Sequence, residues 1–337
     1  MTTSRRNRSL TGAAVAALAL AAPATVAADG LPLPVEESPS GVLAPDRSTR
    51  YLGVSLGGRT AILAQRTADG AVLSRSNLRG RYGIPLVAYD SSAGGISGDG
   101  SRLVLIRPRT RFPRGETTFA VLSTKPLLRL RRTIRLRGDF SYDALSPDGR
   151  TLFLINYLSR SDPTKYRVRV YDLARDRLDP KPVTDPREPP DEMNGLPVTR
   201  VSSPGGRWAY TLYDRNGEQP FIHALDTRER KAFCIDLHDP AFAGGAVYEL
   251  RLAVAAGGRR LNVRRRGRTA ATVNTATFRV SAPAPAPAAA ATGDPPGPSP
   301  LWPAIGLGLL ACAVAARTIR RRHEDLTGAH AQRAGDI

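Results

Sequence analysis

The sequence predicts an all-β fold made of small antiparallel sheets repeated around an axis, and three observations carry it. A turn recurs five times: Ser55-Leu56-Gly57-Gly58, Ser97-Gly98-Asp99-Gly100, Ser146-Pro147-Asp148-Gly149, Ser203-Pro204-Gly205-Gly206 and the degraded Ala255-Ala256-Gly257-Gly258. Its last glycine advances by 42, 49, 57 and 52 residues, a period at which one small sheet cannot bury both faces alone and must stack on copies of itself. Short apolar runs flank each turn, as hairpins require. Together these give a β-propeller of five four-stranded blades, or six if Leu31 to Arg50 add a further sheet or close the ring. A β-sandwich with coincidental Asp-Gly turns is the alternative.

The elements follow in order within the third unit. Tyr142 to Leu145 is a short strand, and Ser146 to Gly149 reverses the chain: proline presets φ, Asp148 bonds the backbone two residues on, and Gly149 supplies positive φ. Thr151 to Tyr157 is the next strand, and Tyr166 to Leu173 alternates Val168 and Val170 with Arg167 and Arg169, the period of a half-buried strand. A fourth strand follows near Pro182 and Val183. The order recurs one unit on, through Val198 to Val201, Trp208 to Tyr213, Phe221 to Leu225 and Ala232 to Leu237. Gly58, Asp99, Gly100, Asp148, Gly149, Gly205, Gly206 and Gly258 are thus assigned to the repeat turns.

This arrangement resembles the WD-like propellers of the TolB type, whose blades carry a Ser-Pro-Asp-Gly-Arg/Lys turn, a hydrophobic strand and a strand ending near Asp. The match is closest at Ser146 to Ile155 with Val168 to Leu173, and at Ser203 to Leu212 with Phe221 to Asp226, and it covers roughly Arg50 to Val280. The resemblance implies a platform fold with many unrelated roles and no activity of its own.

The ends set the expected location. Arg5, Arg6 and Arg8 precede an apolar stretch, and Val26, Ala27 and Ala28 offer a cleavage point, so residues 1–28 read as a signal peptide, by the general secretory route in preference to twin-arginine export. Residues 29–49 are an N-terminal extension, 50–280 the propeller ectodomain and 281–300 an Ala/Pro-rich, semi-stiff linker. Residues 301–319 read as one transmembrane helix with Trp302 at its outer edge, and 320–337 as a basic cytoplasmic tail, since Arg317, Arg320, Arg321 and Arg322 follow the positive-inside rule. The expected protein is a single-pass cell-membrane protein, its N-terminal domain extracellular. Its Ala-, Arg- and Pro-heavy composition resembles that of a high-GC Gram-positive, actinobacterial chain. No Leu-Pro-x-Thr-Gly precedes the tail to signal wall sorting. Ala304, Gly308, Cys312 and Ala316 place small residues on one helix face, the pattern of weak helix-mediated self-association.

Charge and site chemistry point to binding. Of the net +19, about +15 stays on the propeller once the signal peptide, the tail and Asp294 are set aside. Such a field favours anionic partners, which outside a cell are envelope polymers, lipid headgroups or acidic proteins and not nucleic acid. Arg107, Arg109, Arg111 and Arg114 occupy a loop between the second and third strands of one blade, and Arg264, Arg265, Arg266 and Arg268 hold the matching place in the last, so both clusters are candidates for one anionic ligand. The arginines interleaved through Leu128 to Arg137 read as an edge guard on an outer strand. Asp179 to Pro197, with Asp185, Glu188, Asp191 and Glu192, is an acidic island read as a solvated or docking loop.

No catalytic constellation, metal-ligand spacing or cofactor motif emerges, and Cys234 and Cys312 are placed too differently to pair. His223 and His238 read as ordinary core or surface residues. Asp90, Asp139, Asp143 and Glu249 are the acids that an enzyme would place around the axis. The reading is a non-catalytic binding or scaffold module for a protein or anionic envelope polymer. The alternative is a propeller hydrolase or lyase acting on an extracellular small molecule. Asp143, Glu249 and a histidine clustered at the axis favour the enzyme; an axis lined by Val, Ser and Thr favours the binder.

Overall fold

The computed structural model describes residues 37–187 and 193–282. The signal peptide, the linker beyond Ala282, the membrane helix, the tail and the acids Glu188, Asp191 and Glu192 lie outside the described residues. The described chain is built from five antiparallel sheets in sequence order. The first holds β1 (Val42–Leu43), β2 (Thr49–Leu56), β3 (Arg59–Arg66) and β4 (Val72–Arg79). The second holds β5 (Arg102–Ile106), β6 (Glu116–Ser123) and β7 (Arg129–Arg137). The third holds β8 (Phe140–Leu145), β9 (Thr151–Tyr157), β10 (Lys165–Asp172) and β11 (Arg177–Val183), with β12 (Met193–Asn194) added to β10. The fourth holds β13 (Leu196–Ser202), β14 (Trp208–Asp214), β15 (Phe221–Asp226) and β16 (Lys231–Asp236). The fifth holds β17 (Leu250–Val254), β18 (Arg260–Arg265), β19 (Arg268–Asn274) and β20 (Val280–Ser281).

Period-two patterning stacks these sheets face to face. On β9, Leu152 and Leu154 enter the cluster shared with the second sheet, through Val104, Phe119 and Ile134. Phe153 and Ile155 enter the one shared with the fourth, through Tyr213, Phe221 and Leu225. Because both faces are covered, β9 reads as a continuous apolar run. Each fully buried Leu, Ile or Phe in such a layer contributes roughly 1.5–3 kcal/mol relative to exposure. Equivalent clusters join the first sheet to the second and the fourth to the fifth. Among the described residues no such cluster joins the fifth sheet to the first, where Val54 and Val72 stay exposed.

One hydrogen-bond pattern repeats in all five units and defines the true repeat. The first turn residue donates its N–H to the start of the next strand: Ala44 to Thr49 at 2.8 Å, Ser97 to Arg102 at 3.0 Å, Ser146 to Thr151 at 2.9 Å, Ser203 to Trp208 at 2.8 Å and Ala255 to Arg260 at 2.8 Å. A later corner then donates back to the residue after the turn: Thr67 to Ser48, Thr124 to Ser101, Leu173 to Arg150, Thr227 to Arg207 and Thr275 to Arg259. By this criterion the first repeat turn is Ala44-Pro45-Asp46-Arg47, and Gly57-Gly58 is the β2–β3 hairpin one strand later, at the opposite rim. Arg47, at φ 61°, stands where Gly100, Gly149, Gly206 and Gly258 stand at φ between 65° and 75°. The fourth turn residue therefore advances by 53, 49, 57 and 52, from 47 to 258. Because a side chain in this left-handed region costs about 1 kcal/mol, Arg47→Gly is expected to stabilise the protein by about that amount in chemical denaturation. An unchanged or lowered midpoint would show that the turn is not held in this conformation.

The repeat turns converge on one face. Asp99 donates its N–H to the Pro147 carbonyl at 2.9 Å. A Cβ on Gly98 would collide with the Gly205 carbonyl, so this approach of two turns needs glycine. The second sheet lacks a regular innermost strand. Gly83, Pro85, Gly94 and Gly95 break it into isolated bridges, Gly83 to Ile106 and Ile96 to Leu103, and the excursion between them crosses to the fourth sheet. There Tyr89 and Asp90 donate their N–H groups to Pro197 and Val198 at 2.9 and 3.1 Å.

Candidate functional site

A cavity of about 410 Å³ opens where the turns converge. Its lining includes Ser97, Gly98, Ser202, Ser203, Pro204 and Gly205, the valines Val87, Val201 and Val254, and the buried Asp143 and Arg200. Asp143 is directed inward by a bulge: β8 pairs Tyr142 with Leu154 and Ala144 with Phe153, leaving Asp143 as the extra residue. Arg200, on β13, donates from Nη2 to Asp143 Oδ1, from Nη1 to the Asp143 carbonyl at 2.9 Å and from Nε to Thr211 Oγ1. Both side chains are almost fully buried, at 1% and 8% exposure. Burial works against the Arg200 charge, but Asp143 outweighs it, and its pKa lies above the ordinary value.

A tyrosine layer lies behind the pair. Burial pushes the hydroxyls of Tyr142, Tyr166 and Tyr213 above the ordinary tyrosine range. His223, on β15 and 1% exposed, packs edge-on to Tyr213 with ring centroids 6.2 Å apart. Burial lowers its pKa from 6.5 to about 4, so folded His223 is neutral at pH 7. Unfolded chains take up this proton below about pH 6.5 and the folded protein only near 4, so its contribution is complete above 6.5 and lost as pH falls. The difference amounts to about 3 kcal/mol. His223→Leu should therefore flatten the fall in stability between about pH 7 and 4, measured by urea unfolding. An equally steep fall in the variant would assign acid lability to other groups.

The other candidate residues are distributed as follows. Arg109 and Arg114 turn inward and clamp Asp139, with N···O distances of 2.8 and 3.1 Å and side chains 6% and 9% exposed. Arg107 is exposed and stacks on Tyr82 at 5.6 Å, and Arg111 is exposed at the loop tip. In the last unit Arg265 and Arg266 pair with Glu249 at 2.8 and 3.0 Å, Arg264 donates to the Gly267 carbonyl at 2.6 Å, and Arg268 is exposed. Glu249 is thus held by these arginines and does not line the cavity, and Asp90 faces Arg251 at 3.9 Å. Asp99, Asp148, Gly100, Gly149, Gly205, Gly206 and Gly258 lie in repeat turns.

Sequence reasoning missed Arg200 as Asp143's partner, 57 residues away on another sheet; the local sign is an arginine between Thr199 and Val201 in the middle of β13. Cys234 forms no disulfide, and among the described residues no group of His, Cys, Asp and Glu is arranged to hold a metal ion. Ser203 Oγ accepts from the Trp208 N–H at 2.9 Å, and Thr227 Oγ1 donates to the Arg207 carbonyl at 2.8 Å. The cavity therefore presents small polar groups and apolar walls, with its acid neutralised.

No protein-family model matches the chain, and no curated protein matches it. Similar solved structures include TolB from Acinetobacter baumannii, 14% identical with a TM-score of 0.38, covering 72% of this chain and 53% of that one. A putative TolB from Agrobacterium tumefaciens is 16% identical with a TM-score of 0.36, covering 75% and 81%. The Cps50 (Swd1) β-propeller domain from Myceliophteria thermophila is 11% identical with a TM-score of 0.42, covering 73% and 70%. The chain spans about half the length of the Acinetobacter protein.

Proposed function

We propose that this chain is a non-catalytic binding module, a propeller displayed on the outside of the cell membrane by the segment 301–319, which takes up a protein or anionic envelope partner at the face where its repeat turns converge. The observation that carries the reading is the makeup of the axial cavity. Valine, serine and glycine line it, and its one carboxylate is neutralised by Arg200. A general acid and base need matched groups within reach of one substrate. Glu249 is held by Arg265 and Arg266, and His223 is buried away from the cavity lining. The basic segment after residue 316 and the arginines before the apolar N-terminal stretch support the orientation.

The test is crosslinking in intact cells from a photoreactive side chain at Ser202, with Glu229 as a site outside the cavity. A discrete adduct from Ser202 alone supports the reading. Equal labelling from both sites, or full digestion of a tag placed after Ile337 by protease added outside the cell, defeats it.

A further inference from the structure

Two of the arginines that the sequence assigns to an edge guard are brought by strand register onto the same sheet face as Arg107. Arg107 donates its N–H to the Thr118 carbonyl, and Thr118 stands opposite Arg135 across β6 and β7. Arg137 lies two residues further along, opposite Glu116. Leu105, Ala120 and Thr133 share this face one step below, and Leu105 and Ala120 belong to the cluster that meets the first sheet. The face that is apolar at its base thus turns basic toward the rim where the β2–β3 and β5–β6 loops open. All three arginines are exposed, and none forms an ion pair among the described residues. Arg132 alternates onto the opposite face, where it bonds Leu173 and Asp176 of the third sheet, and Arg131 sits in the bulge between Val121 and Leu122 and bonds Ser123.

We propose that Arg107, Arg135 and Arg137 form a docking site for successive phosphate groups of an extended, phosphodiester-linked polymer. The site lies at the rim opposite the convergent repeat turns, so it is a second contact surface of the binding module inferred above, and it rests on that reading. Arg135 and Arg137 are about 6.8 Å apart along the strand, and Arg107 lies about 9.6 Å across it. These separations are comparable with the roughly 8 Å screening length at physiological salt, so the three charges repel one another until anions approach. A single small anion spans too little to meet all three, and an open surface gives each contact little strength, so several linked anions are needed for affinity. The apolar base of this face packs against the first sheet, so the arginines form a short line beside it that a chain can follow more closely than a flat layer of headgroups can. Tyr82 under Arg107 holds that guanidinium in place at one end of the site. Glu116 stands opposite Arg137 on this face.

The experiment uses the full chain in neutral detergent micelles, with poly(glycerol phosphate) as the probe. Arg107→Gln/Arg135→Gln/Arg137→Gln should weaken binding about 30-fold near 0.1 M salt and make the salt dependence shallower by about 2 in log–log slope. The charge-matched control, Arg59→Gln/Arg228→Gln/Arg260→Gln, should weaken it less than about 3-fold. All six positions are exposed, and unchanged thermal midpoints would show that the variants are folded. Equal losses in the two variants would reduce the effect to net charge and overturn the site. Tighter binding to phosphatidylglycerol vesicles than to the polymer, lost in the same triple variant, would overturn the polymer in favour of a membrane surface. No polymer binding by the unaltered chain, with the Ser202 adduct still formed, would overturn this proposal and leave the binding module standing.

Discussion

Arg200→Leu is expected to destabilise the protein by about 3–5 kcal/mol, against a total of roughly 5–15 kcal/mol for an ordinary domain. The cost arises less from the attraction lost than from the charge left behind. Asp143 is 2% exposed, and Arg200 is the cation that meets it, so without Arg200 the buried carboxylate is left without a compensating charge. The guanidinium also satisfies the Asp143 carbonyl and Thr211 Oγ1, which leaves further buried acceptors unmet. Asp143→Leu/Arg200→Leu removes both charges and should recover much of the loss, since a buried ion pair and its apolar replacement are often close in stability. Urea unfolding of the parent, the single and the double variant checks this. An Arg200→Leu protein within about 1 kcal/mol of the parent would show that the pair is solvated and the cavity floor is open to water.

What the sequence makes legible here is local. Four of the five repeat turns are visible because proline, aspartate and glycine have conformational reasons to sit there, and the hydrogen bonds at Ser97, Ser146, Ser203 and Ala255 follow them. The first turn is hidden because Arg47 holds a left-handed conformation that usually marks itself with glycine, and Gly57-Gly58 nearby supplies a false match. The sequence carries a second signal: Thr67, Thr124, Thr227 and Thr275 recur at the corner that closes each unit, with Leu173 in the third. The broken inner strand of the second sheet is legible only as scattered Gly and Pro between residues 83 and 95, because its bonds go to the fourth sheet over a hundred residues away.

The arginines show where sequence reasoning stops. Charge density predicts a basic surface, yet which guanidinium meets a carboxylate depends on strand register and sheet stacking. Arg109 and Arg114 look like their exposed neighbours Arg107 and Arg111 but are buried against Asp139. Arg135 and Arg137 look like edge charges and share a face with Arg107. Alternation alone assigns each strand residue to a face; it does not say which loop folds back over that face.

Asp139→Ala is expected to have the other large effect, because one carboxylate there serves two buried cations. Asp139 accepts from Arg109 Nε and Nη2 at 3.1 and 2.8 Å and from the Arg114 N–H at 2.9 Å, with Arg114 Nε also at 3.1 Å. Removing it takes the shared carboxylate away from two buried guanidiniums, one of them over the Tyr157 ring at 5.0 Å. Breaking a single buried pair costs about 3–5 kcal/mol, so the upper end of that range applies if both arginines stay inside. They have another course: residues 107–115 form a surface loop, and local opening takes both cations into water at the cost of the loop's own contacts. Those include the Arg114 bonds to the Phe140 and Arg107 carbonyls. The loss measured in global unfolding is then capped, and the loop pays the rest as accelerated trypsin cleavage at Arg111 and faster amide exchange from 109 to 115. Asp139→Asn keeps the shape but not the charge and should give the same cleavage pattern, since an amide cannot balance two cations. If both variants keep the parent's stability and its resistance at Arg111, the arginines are already solvated and the clamp does not hold the loop.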